Sequence, residues 1–106
     1  MWPEDERTAV RRAESYLAGG DLQNAVLACD LLVARVLASG ASLAGAMEAP
    51  RDPAVVAVLL GLPGPRYLAF RSIVRAARRK EEITPRAAMD AFLFALEARR
   101  ARLDVE

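Results

Sequence analysis

The stretch from Asp21 to Ser39, DLQNAVLACDLLVARVLAS, restricts the possible folds of this chain more than any other. Wound at about 100° per residue, it puts Leu22, Ala25, Val26, Cys29, Leu32, Val33, Val36 and Leu37 on one continuous apolar arc. The opposite side carries Leu27 and Leu31 among Gln23, Asp30 and Arg35, with Ala34 and Ala38 close by. A helix that is apolar on one face and half-apolar on its back needs neighbours on more than one side. The expectation is the central helix of a small all-α bundle, built as a single domain from 106 residues.

The flanking segments supply the neighbours. A first helix is expected to begin near Pro3, with Glu4, Asp5 and Glu6 at the positive end of its dipole. Val10, Ala13 and Leu17 form its inward stripe, with Tyr16 beside it. Gly19-Gly20 ends it, and Asp21 caps the central helix, so the two form an antiparallel hairpin. From Gly40 to Asp52 the small residues predict a loop, with one helical turn at Leu43 to Met47. Asp52-Pro53 then opens a short helix, AVVAVLL, which is apolar all round and is expected to be buried before Gly61-Leu-Pro-Gly-Pro65 breaks it.

A fourth helix is expected from about Arg66 to Lys80. One stripe holds Tyr67, Phe70, Ile73, Val74 and Ala77; the next holds Arg71, Arg75, Arg78 and Arg79. Thr84-Pro85 caps a fifth, running to about Leu103. Its faces differ: Met89, Phe92, Leu96 and Leu103 are bulky, whereas Ala87, Ala91, Ala98 and Ala101, with Phe94 among them, would let another helix come close. Glu97, Arg99, Arg100 and Arg102 are expected to keep the end of this helix soluble. The architecture expected is therefore four principal helices plus one short one.

The sequence contains no histidine and one cysteine. That rules out His-dependent acid–base chemistry, His-containing triads and most zinc sites, and it argues against a transition-metal site. Cys29, on the apolar arc, reads as a buried structural thiol. Gly61-Leu-Pro-Gly-Pro65 lacks the Lys and Ser/Thr of a phosphate loop and reads as a turn. Asp30 is the one acid inside the most apolar helix. It either fixes the register of two helices, lies at an exposed edge, or, in a third reading, serves an enzyme working through carboxylates alone. A net charge of +1 draws the chain neither to nucleic acid nor to anionic lipid. The acidic amino terminus lacks an apolar signal core, no apolar run is long enough for a membrane span, and a cytoplasmic location is expected.

Two stretches carry a family resemblance. Ala-Gly-Gly-Asp-Leu-Gln-Asn-Ala-Val, running into the apolar helix through Leu37, resembles the first helix pair of HEPN domains. The stretch from Phe70 through EEITPRAAMDAFLFALEARRARL resembles their closing pair. The resemblance implies an all-helical bundle that dimerises and, in many members, cleaves or binds RNA. The ribonucleases of that family carry an Arg-x4-His signature, and here Ala76 stands where the histidine would follow Arg71. It therefore implies a non-catalytic relative. The first hairpin also resembles a tetratricopeptide unit through Tyr16, Gly20 and Ala25, but no second copy follows about 34 residues later.

With 54 % hydrophobic residues and a mean hydropathy of +0.12, so short a chain holds more apolar side chains than one core accommodates. The functional expectation is a non-catalytic scaffold or partner-binding module, without cofactor or metal, that forms a homodimer and binds a protein partner. The contact is expected at the alanine face of the fifth helix (Ala87, Ala91, Phe94, Ala98) or at Leu27 and Leu31. The alternative is a HEPN-like RNA- or nucleotide-binding accessory protein using Arg71, Arg75, Arg78 and Arg79.

Overall fold

A computed structural model describes residues 4–43 and 53–105, and among them all regular structure is helical. The helices are α1 (Glu4–Ala18), α2 (Leu22–Leu43), α3 (Pro53–Leu59), α4 (Gly64–Arg78) and α5 (Pro85–Val105). Four long helices and one short one make a small all-α bundle, as the hydrophobic periodicity requires.

α2 is the axis. It touches every other helix, α5 and α1 most extensively. Ala25, Val26, Cys29, Leu32, Val33, Val36 and Leu37 on its apolar arc are all buried. Its start is capped as expected: the Asp21 carboxylate accepts hydrogen bonds from the Asn24 backbone N–H at 3.3 Å and the Asn24 side-chain amide at 2.7 Å. Thr84 Oγ1 does the same for α5, accepting from the Ala87 N–H at 3.1 Å. At its other end α2 runs past Gly40 to Leu43, where a loop was expected. Ala41 and Leu43 are good helix formers, and one glycine costs a helix only about 1 kcal/mol. The rest of that expected loop, residues 44–52, including the Asp52 cap, lies outside the described residues.

Three helices end in the same hydrogen-bonded turn. After α1, the Asp21 N–H reaches the Tyr16 carbonyl and the Gly20 N–H reaches that of Leu17; after α3, Leu62 reaches Ala57 and Gly61 reaches Val58. The turn needs a left-handed residue, and Gly20 (φ 78°) and Gly61 (φ 82°) supply it. After α4 the same pair of bonds, Glu81 to Ala76 and Lys80 to Ala77, closes around Lys80 at φ 59°. A lysine there is strained by its Cβ. Lys80→Gly is expected to raise the unfolding free energy by about 1 kcal/mol, read from the urea midpoint.

The small-residue face of α5 turns inward, with Phe92 and Leu96 half-buried beside it. Ala88, Ala91, Ala95 and Ala98 are fully buried and Phe94 is 2 % exposed, while Met89 and Leu93 are each 47 % exposed. The small residues do permit close approach, but the helix that comes close is the chain's own α2. Ala91, Phe94 and Ala98 are therefore core residues and unavailable to a second chain; Ala87 is half-buried at their edge. α3 departs too: Val56 and Ala57 are buried, but Val55 and Val58 are 47 % and 62 % exposed. Among the described residues its main neighbours are α2 and α4.

Candidate functional site

Arg78 stands seven positions after Arg71, so the two lie two turns apart on one face of α4. That face looks across to α2, where Asp30 is buried at 8 % exposure. Arg71 Nη1 donates to Asp30 Oδ1 and Arg78 Nη2 to Asp30 Oδ2, both at 2.6 Å. A third tie lies nearby: Gln23 Nε2 donates to the Ala77 carbonyl at 2.6 Å. Going from Gln23 to Asp30 along α2 means going back from Ala77 to Arg71 along α4, so these contacts set an antiparallel register. Burying a carboxylate is costly unless it is paired and hydrogen-bonded. Here each oxygen takes a charge-assisted bond. Of the roles open to Asp30, the structure shows the one that fixes two helices against each other.

The rest of the arginine stripe is exposed. Arg75 Nε donates weakly, at 3.4 Å, to the Arg71 carbonyl. Among the described residues no carboxylate pairs with Arg75, Arg79 or Lys80. Positive charge therefore accumulates on the C-terminal half of α4, where the helix dipole tolerates it. Tyr67 and Phe70 are buried on the adjoining stripe of the helix, as expected.

Cys29 precedes Asp30 and is buried. Burial first, and the neighbouring Asp30 charge second, push its thiol up to about 12. At physiological pH it is a neutral, buried thiol.

A second charged cluster escaped the sequence reading. Arg102 Nη1 donates to Glu6 Oε2 at 2.8 Å, with the two side chains 6 % and 4 % exposed. This corrects the view of Arg102 as part of a soluble end and of Glu6 as a dipole acid. The signal was present in the spacing. Glu6 continues the stripe of Val10, Ala13 and Leu17, and Arg102 that of Ala91, Ala95 and Ala98. Glu97, also assigned to solubility, pairs with Arg66 across the α4–α5 hairpin.

Of the expected partner-binding residues, Leu31 is 58 % exposed and Leu27 half-buried. Leu31 lines a groove of about 230 Å³ between α1 and α2, with Thr8, Ala9, Arg12, Ala28 and Arg35. Among the described residues no three His, Cys, Asp or Glu side chains gather as a metal site, and no helix is long and apolar enough to cross a membrane. No family model matches the chain, and no curated protein or solved structure matches it either.

Proposed function

We propose that this chain is a non-catalytic interaction module that self-associates and docks a protein partner through apolar side chains its fold leaves outside. One observation carries the reading. Leu31, Val55, Val58, Leu68, Met89 and Leu93 are 47 to 62 % exposed, on four different helices. The apolar surplus expected from composition thus lies on the surface, where association would remove it from water. Leu27 and Leu31 on α2 remain the contact proposed from sequence; on α5 the proposal moves from the alanine face to Met89 and Leu93, one turn apart.

Sedimentation velocity at micromolar concentration tests it. The wild-type chain is expected to exceed the 11.5 kDa of a single copy, alone or with a co-purified protein. Leu31→Glu or Leu93→Glu should return it to that mass while changing stability by no more than about 0.5 kcal/mol, since both sites are exposed. A well-folded 11.5 kDa species that recruits nothing would end the proposal. The HEPN-like alternative, an RNA- or nucleotide-binding accessory protein, draws support from the unbalanced charge of α4, although Arg71 and Arg78 already face Asp30. It requires RNA retention that falls steeply with salt.

A further inference from the structure

We propose that Arg71, Arg75 and Arg78, with the first and last of them anchored by Asp30, form a receptor for a compact phosphate-class dianion at the solvent edge of the α2–α4 contact. Asp30 engages one nitrogen of each anchored guanidinium, and a guanidinium carries five N–H donors in a rigid fork. The Arg71 and Arg78 side chains are 28 % and 59 % exposed, so donors pointing away from Asp30 still meet solvent. An arginine ordinarily loses rotamer freedom when it binds a ligand. Here folding has already imposed that order. Arg75, one turn beyond Arg71, bends back onto the Arg71 carbonyl and brings a third guanidinium to the same stretch of helix.

Charge and shape select the ligand class. Three guanidiniums facing one carboxylate leave two positive charges without a partner among the described residues. A carboxylate ligand brings one charge and two oxygens. A phosphate group brings close to two charges above its second pKa of about 6, and its oxygens point toward several donors at once. Arg79 and Lys80 strengthen the local field, and Glu81 and Glu82, directly after the turn, bound it. A short positive surface closed off by acids fits a compact anion better than an extended polyanion. This inference is independent of the apolar docking surface and stands or falls separately from it.

The test is a heteronuclear NMR titration of the full chain with inorganic phosphate in low salt, following the arginine Nε–H signals and the α4 amides. Saturable shifts centred on Arg71, Arg75 and Arg78 are expected, with acetate binding more weakly. Arg75→Gln, at an exposed site, should weaken phosphate binding about tenfold, while Arg100→Gln on α5 leaves it unchanged. Asp30→Asn separates orientation from charge: it adds net positive charge, yet it should weaken binding because it releases both arginines. A terminally phosphorylated dinucleotide should bind like free phosphate, and the unphosphorylated one should not. Four results would each overturn the receptor: no saturable shift; tighter phosphate binding by folded Asp30→Asn; unchanged binding by Arg75→Gln; or an unphosphorylated oligonucleotide that outcompetes phosphate with steep salt dependence.

Discussion

Arg102→Met should lower the unfolding free energy by about 3–5 kcal/mol, a large share of the roughly 5–15 kcal/mol that holds a domain of this kind together. The expectation follows from what the substitution leaves behind. Glu6 is 3 % exposed, and its Oε2 takes a 2.8 Å charge-assisted bond from Arg102. Among the described residues its other oxygen, Oε1, accepts no hydrogen bond. Without Arg102 the carboxylate is a buried charge with no counter-charge, and burial of that kind is far costlier than the loss of one surface pair. The double variant Glu6→Leu/Arg102→Met is the control. Replacing a buried ion pair by apolar side chains of similar volume is often neutral or stabilising, so the double variant should recover most of the loss. Guanidinium unfolding followed by circular dichroism reads all three proteins. A single variant within about 1 kcal/mol of wild type would show that the pair does not fasten α1 to α5.

Phe94→Ala is expected to cost about 3–5 kcal/mol as well, for a different reason. Phe94 is 2 % exposed and stacks on Phe70 with ring centroids 4.9 Å apart and planes at 26°. Tyr67 meets it at 6.1 Å and 51°. The truncation empties a space between α4 and α5 that rigid helices cannot fill, and it also removes an aromatic pairing worth about 0.5–1.5 kcal/mol. At this chain length each kcal/mol moves the thermal midpoint by about 4–8 °C. Met89→Ala on the same helix is the contrast. That side chain is half in water, so its loss should stay near 0.5 kcal/mol. Had the alanine face and Phe94 formed a subunit contact instead, Phe94→Ala would change the oligomeric mass and leave the single chain's stability nearly intact.

Much of the fold is legible in local chemistry. Asp21 and Thr84 announce helix starts because their side-chain oxygens satisfy backbone donors two or three residues on. Gly20 and Gly61 announce helix ends because left-handed backbone suits them. Lys80 shows the limit of such reading: it occupies the same turn with none of glycine's signature. The candidate sites were less legible. Asp30 stood out as an acid in an apolar helix, but nothing local chose between a register contact and an exposed edge. Its partners lie 41 and 48 positions away in sequence. Glu6 and Arg102 are separated by 96.

What the sequence by itself determined was the set of helices, the caps of α2 and α5, the stops at Gly20 and Gly61, and the place of α2 at the centre, because periodicity and capping act over a turn or two of chain. Only the tertiary structure decided which face of α5 turns inward. An alanine stripe lets any helix approach, and sequence periodicity does not say whether that helix belongs to this chain or to another. The tertiary structure likewise gave each charge its partner. The energy of an ion pair depends on the distance and burial of two groups, and those are set only when distant turns of helix have packed together.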